Sequence, residues 1–190
     1  ALLVLAACAE RSAADRAAAW LVAQQRADGT WGSEHYAVLR SGQALTPFVL
    51  HALLAHGGAA GAAAIAPGLE AVRRSIAVDG SIGYADADLF EYPVYATSLA
   101  ILVLARAGAE DDRQRIDAMA HWLLQQQCKE TRGFVADAPA YGAFGFGARG
   151  LPPGEPGHVD LTHTRFALQA LAAADRLDGG VRTRVTVLLD

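Results

Sequence analysis

The sequence predicts an all-α protein assembled from repeated helix pairs, and three observations predict it. The 190 residues are 53% hydrophobic and 19% charged, rich in alanine and poor in β-branched residues, which favours helix. A stretch of the chain repeats: Asp28–Gly57 aligns without a gap onto Asp79–Gly108, so that Thr46 faces Thr97, Leu53 faces Leu104 and Gly57 faces Gly108. A third copy follows, with Thr164-Arg165-Phe166-Ala167-Leu168 matching Thr97-Ser98-Leu99-Ala100-Ile101, and Leu171 matching Leu104. Finally, amphipathic segments alternate with segments that are apolar almost all round, the signature of half-exposed helices alternating with buried ones.

The elements follow in chain order. Ala1–Ala6 overlays Ala100–Ala105, so Ala1–Ala9 reads as the tail of a further copy. Leu5-Ala6-Ala7-Cys8 also has the form of a lipoprotein cleavage box, but no charged region precedes it, and the repeat register accounts for it better. Asp15–Gln25 reads as an outer helix with Ala17, Trp20 and Leu21 on or beside its apolar side. Inner helices are expected at Pro47–His56, Pro93–Ala107 and Leu161–Ala174. Pro47 and Pro93 stand where proline is tolerated, in a first helical turn, and Gly57 and Gly108 stand where a helix ends. Between the second and third inner helices, Ile116, Met119, Ala120 and Leu123 fall at i, i+3, i+4, i+7, the stripe of another outer helix. A Gly/Pro-rich loop runs from Tyr141 to Gly157, and an outer helix begins again near Val181 and reaches Asp190. The copies span about 12–57, 62–108 and 111–175 of a single domain covering 1–190.

The link from outer to inner helix carries the most specific pattern: Arg16-Ala17, Trp20-Leu21, Gln25, Gly29 and Trp31. Gln25 can bond free backbone groups at a neighbouring helix, Gly29 permits a turn with positive φ, and Trp31 can shield the amide. Trp122-Leu123 with Gln127 and Gly133-Phe134 is a looser copy, and the middle repeat keeps only Asp79-Gly80 and Gly83.

That pattern resembles the QW motif of squalene–hopene and oxidosqualene cyclases, in the superfamily that also holds the prenyltransferase β subunits. Tyr92-Pro93-Val94-Tyr95-Ala96-Thr97 and Asp160-Leu161-Thr162-His163-Thr164 look like inner-helix starts of bacterial squalene-cyclase-like repeat proteins. The resemblance covers nearly the whole chain. It implies an α/α toroid, here an incomplete ring with inner and outer layers around an apolar cavity that holds an isoprenoid chain. It also implies a terpenoid-cyclase isomerase, which protonates an alkene from an Asp-x-Asp-Asp-Thr motif at an inner-helix start. In this chain Asp160 and Thr164 match the ends of that motif, while Thr162 replaces the proton-donating Asp and His163 the one after it. The zinc site of the prenyltransferases fails at the same place, because Thr162 stands where a Cys is required.

Composition and residue types bound the rest. Net charge is −4 and no basic patch emerges, which argues against nucleic acid. No apolar run approaches the ~20 residues of a membrane-spanning helix, although peripheral membrane contact stays open. Cys8 and Cys128 make neither a metal pattern nor a disulfide framework, and no cofactor or metal is expected. Asp160 and His163 are the candidate catalytic pair, with capping of the inner helix the more ordinary role for Asp160. Tyr92, Tyr95, Phe144 and Phe146 are the candidate ligand contacts. Asp86 and Asp88 read as solvated loop carboxylates, and His51, His56 and His121 as structural or solvated. Two functions remain: a cyclase-related isomerase acting on a squalene-like polyene, or a non-catalytic toroid that binds a hydrophobic ligand or a protein on its concave face. Further toroid repeats or self-association are the expected partners of the two ends, since neither Ala1–Ala9 nor Val181–Asp190 has the polar face of a cap. The reading is bacterial, with no targeting signal.

Overall fold

The computed structural model describes residues 12–86, 88–89 and 91–189. Ala1–Ala9, including Cys8, lies outside the described residues. Seven α-helices account for the described chain: α1 Ala13–Ala23, α2 Leu45–His56, α3 Ala59–Ser75, α4 Pro93–Ala107, α5 Arg113–Gln126, α6 Leu161–Ala173 and α7 Gly179–Leu189. The only β-type pairings among the described residues are two isolated bridges, Gln127 with Phe144 and Gly145 with Val159. No described helix is long and apolar enough to cross a membrane.

The apolar helices pack side by side as α2–α4–α6, with α4 in the middle. That position explains why ten of the fifteen residues of α4 are buried, Val94, Ala96 and Leu99–Ile101 completely, whereas α2 and α6 each keep an open side. The three run parallel. Phe48, Tyr95 and Phe166, all near helix N-termini, touch in sequence, while the C-terminal turns of α4 and α6 meet at the far end. Against this row pack α1 and α3 on the α2 side and α5 on α4 and α6. Small residues let α3 come close: a Cβ on Gly68 would press into Leu50 and Trp31, and one on Gly61 into Leu53. Pro67 sits inside α3 with its ring on the exposed side, where the lost backbone bond faces water. The core is continuous through Leu50, Leu53, Ile101, Leu104, Met119, Leu123 and Leu171, so Leu53, Leu104 and Leu171 of the three copies share one core.

The repeat is visible atom by atom in the links that lead into α2, α4 and α6. The N–H of Gly29, Gly80 and Gly142 bonds the carbonyl of Arg26, Ala77 and Cys128 respectively. All three glycines have φ between 84° and 86°, and a Cβ on each would overlap a backbone carbonyl of α3, α5 and α7 respectively: Pro67, Ala118 and Arg184. Gly is therefore required twice over, by conformation and by close approach. Two residues on, the N–H of Trp31, Ile82 and Phe144 is accepted by the Oγ1 of Thr46, Thr97 and Thr164, each at 3.0 Å. The glutamine amides complete the device. Gln25 donates to the carbonyls of Gly29 and Ala64, each at 3.0 Å, and Gln127 to those of Gly142 and Val181 at 3.1 and 3.3 Å. Ile76 occupies this place in the middle copy, which has no such clamp.

Two expectations need correction. Gly133-Phe134 is not the third copy of the link. Its counterpart is Gly142 with Phe144, because the residues between Cys128 and Gly142 form an insertion with a 3-10 turn and a small core of Cys128, Phe134, Ala140 and Tyr141. In α1 the buried residue is Ala18, with Leu21 and Val22 beside it, while Ala17 is exposed and Trp20 is 62% exposed. Among the described residues α1 packs mainly on α3 and α2, which take the Ala18 face, and the second indole of the motif, Trp31, takes the interior place instead. Trp31 donates from Nε1 to the Leu21 carbonyl at 2.7 Å and so closes the end of α1.

Gly57 and Gly108 end α2 and α4 in left-handed conformation, their N–H groups bonded to Leu53 and Leu104. Asp175 takes the left-handed position after α6. A buried ion cluster ties α3 to α5: Asp112, fully buried, receives Arg73 in two-pronged contact and Arg115 at 3.3 Å.

Candidate functional site

The N-terminal ends of the three apolar helices gather most of the residues singled out from sequence. Asp160 is extended (φ −154°) and caps α6, its Oδ1 accepting the His163 N–H at 2.7 Å. Both carboxylate oxygens also face Nδ1 of the His163 ring, at 2.9 and 3.0 Å. Capping and His–carboxylate pairing thus coexist in one residue, a consequence of the three-residue spacing at a helix start. Burial, the largest single influence, pushes the Asp160 pKa up. The hydrogen bonds from the His163 backbone and ring lead the influences that outweigh it and hold the carboxyl below its ordinary value. Asp160 is therefore a carboxylate near neutral pH, and the ring Nδ1 facing it is the donor.

His163 is 6% exposed. Its other ring nitrogen, Nε2, is buried and has no hydrogen-bond partner among the described residues. Rings surround the imidazole: Phe146 at 4.4 Å between centroids, Tyr95 at 5.8 Å and Tyr92 at 6.1 Å. The rings also hold one another. Tyr92 meets Phe146 edge-on at 5.2 Å, Tyr95 meets Phe166 edge-on at 4.9 Å, and Phe48 of α2 reaches Tyr95 at 6.3 Å. Outside this cluster Phe48 is 46% and Leu161 64% exposed, so the end of the helix row presents an open apolar rim. Arg165 stacks on Phe166 at its edge. Phe144 is not part of the rim. It is completely buried in the core, where its backbone is held by Thr164.

Tyr92 is the strained residue of this region, with φ 46° and ψ 61° immediately before Pro93. A bulky side chain in the left-handed region, in the position before a proline, costs on the order of 1–3 kcal/mol. Its neighbours hold it there. Glu91, 3% exposed, accepts the backbone N–H groups of Ser41 at 2.6 Å and Ala44 at 3.2 Å, tying the second copy to the start of α2. On the other side, the Val94 N–H donates to the carbonyl of Phe146, whose own N–H donates to His158. His158 itself stacks on Phe146 and does not pair with Asp160. Phe48, Phe166 and Glu91 were not singled out from sequence. Phe48 and Phe166 stand at the same place in the repeat, two residues after Thr46 and Thr164, and that equivalence was the available signal.

The remaining candidates sit elsewhere. Asp86 and Asp88 are exposed. His56 pairs with Asp15 at 3.0 Å and His121 with Gln125 at 2.9 Å. Among the described residues no three His, Cys, Asp or Glu side chains gather where they could hold a metal ion. Cys128 is a buried free thiol whose pKa is raised by burial. Several crevices also lie away from the aromatic cluster. One, at the C-terminal end of α4 and α6, is lined by Leu104, Gly108, Arg113, Asp117 and Arg176. Four of the charges there are paired, Arg113 with Glu110 and Arg176 with Asp117, and no aromatic ring lines it. The concentration of chemistry lies at the opposite end of the helix row.

No family model matches the chain, and no curated protein matches it.

Proposed function

We propose that this chain is part of an α/α toroid of the squalene-cyclase-like kind, and that the N-terminal end of its inner helices holds a hydrophobic ligand. The observation that carries this reading is the unbroken run of ring contacts across three helices, from Phe48 through Tyr95 to Phe166 and through His163 to Phe146 and Tyr92. Ligand sites are typically apolar surfaces with a few placed polar groups, and Asp160 with His163 supplies those here. Strain at Tyr92 at the same place adds weight, because strained backbone gathers at functional sites.

Within this reading, the chain acts as a binding toroid rather than as the acid of a cyclase. Protonating an alkene requires a neutral carboxylic acid, and the hydrogen bonds around Asp160 favour its carboxylate. Thr162, at the place of the donor, is an exposed hydroxyl and far too weak an acid. The isomerase alternative therefore depends on a carboxyl outside Asp160, in further repeats of the ring. Purified chain incubated with squalene should give no cyclic product by mass spectrometry, and cyclic product lost in Asp160→Ala would overturn the binding reading. A nonpolar fluorescent probe should bind, with affinity weakened several-fold by Tyr95→Ala. Equal affinity in both proteins would place the ligand elsewhere.

A further inference from the structure

We propose that His163 Nε2 is the polar anchor of this face and takes the hydroxyl group of a flat, apolar alcohol; the inference rests on the hydrophobic-ligand reading above. A histidine ring with one nitrogen committed and the other buried without a partner is an incomplete hydrogen-bond set. Asp160 decides which half is open. Its carboxylate can only accept, so Nδ1 carries the hydrogen and Nε2 of the neutral ring is an acceptor. An acceptor that needs a donor selects a hydroxyl or N–H over a carbonyl, an ether or a carboxylate. The surroundings select the rest of the molecule. Phe146, Tyr95 and Tyr92 enclose the imidazole, and only Asp160 among the groups bonded to it is charged. An anionic or strongly hydrated ligand would lose its water here without a counter-ion, whereas an aromatic skeleton gains edge and face contacts.

Entry is by side-chain movement at Phe146. The Phe146 backbone is fixed by its bonds to His158 and Val94, but the ring is only half-buried, has glycine on either side, and is held only by its contacts with the rings of His163, His158 and Tyr92. Turning that ring away uncovers the imidazole and leaves a ring-sized space for the ligand to fill.

The test is calorimetric titration of the whole chain with 2-naphthol and with 2-methoxynaphthalene, repeated at two or more buffer pH values. The two probes share a skeleton and differ in one donor hydrogen. The alcohol should bind about three- to tenfold tighter, the worth of one net hydrogen bond. In His163→Phe, which keeps a ring in place, that preference should vanish while both probes still bind. Asp160→Asn retains the cap and should reduce the preference without abolishing it. A measurement on the unsubstituted protein guards against misfolding: the 15N resonance of Nε2 should shift with 2-naphthol and not with the ether. Equal binding of both probes to the unsubstituted protein would overturn the anchor and leave the hydrophobic face standing. Binding of neither would overturn the face itself.

Discussion

Replacing Thr97 by Val tests the repeated link at its most buried copy. The two side chains have the same shape, so packing is preserved and one hydroxyl is lost. In the native protein that hydroxyl accepts the Ile82 N–H at 3.0 Å, with Thr97 completely buried and Ile82 2% exposed. Water cannot reach the orphaned N–H, and a buried donor left without a partner costs about 1–3 kcal/mol. The middle of that range, ~2 kcal/mol, would move a urea midpoint by about 1 M for an m-value of ~2 kcal/mol/M. Urea unfolding followed by circular dichroism measures it, and m should not change. Amide exchange gives a local readout, since the Ile82 N–H should lose protection ahead of its neighbours. Thr46→Val should behave alike, and Thr164→Val should cost at least as much because Thr164 also donates to the Asp160 carbonyl at 3.0 Å. A cost below about 0.5 kcal/mol for Thr97→Val, with the Ile82 amide still protected, would refute the idea that this bond holds link and helix together.

Three further outcomes are expected. Gly80→Ala should cost well over 2 kcal/mol in the same unfolding assay, because a Cβ meets both φ 86° and the Ala118 carbonyl, whereas Gly108→Ala, with φ 70° and nothing within 4 Å, should cost only about 1 kcal/mol. Asp112→Asn should destabilise by about 2–4 kcal/mol, by loss of the charge that Arg73 and Arg115 share. The Arg73 hydrogen bonds hold the Asp112 pKa below its ordinary value, so this stabilisation is full above about pH 4 and is lost as pH falls through the folded value; acid unfolding should accordingly be less steep in the Asn variant. Asp160→Ala should lower stability by about 1 kcal/mol, the usual loss for an N-cap, and Asp160→Asn by less, because Asn still accepts the His163 N–H; equal losses in thermal unfolding would contradict the capping role.

Much of the architecture was legible in the sequence because it rests on local or periodic rules. Pro93 starts α4 and Gly57 and Gly108 end their helices, since fixed φ and left-handed conformation are properties of single residues. The buried stripe of α5, Met119, Ala120 and Leu123, follows from helical period alone. Self-similarity placed Thr46, Thr97 and Thr164 at one position, and the amide each accepts stands at one position too. Tertiary structure decided what depends on neighbours distant in sequence. Which face of α1 is buried depends on α3 and α2, and the true third link, Gly142 with Phe144, is identified by its bonds to Cys128, Gln127 and Thr164 and its contact with α7, beyond an insertion that hides it in the sequence. The site divides in the same way. Asp160 and His163 meet because three residues separate them at a helix start, which one segment specifies by itself. The aromatic face does not belong to any segment: Phe48, Tyr95 and Phe166 come from three copies, and only the parallel packing of α2, α4 and α6 brings their rings into contact and leaves His163 Nε2 buried beneath the neighbouring rings of Tyr92, Tyr95 and Phe146.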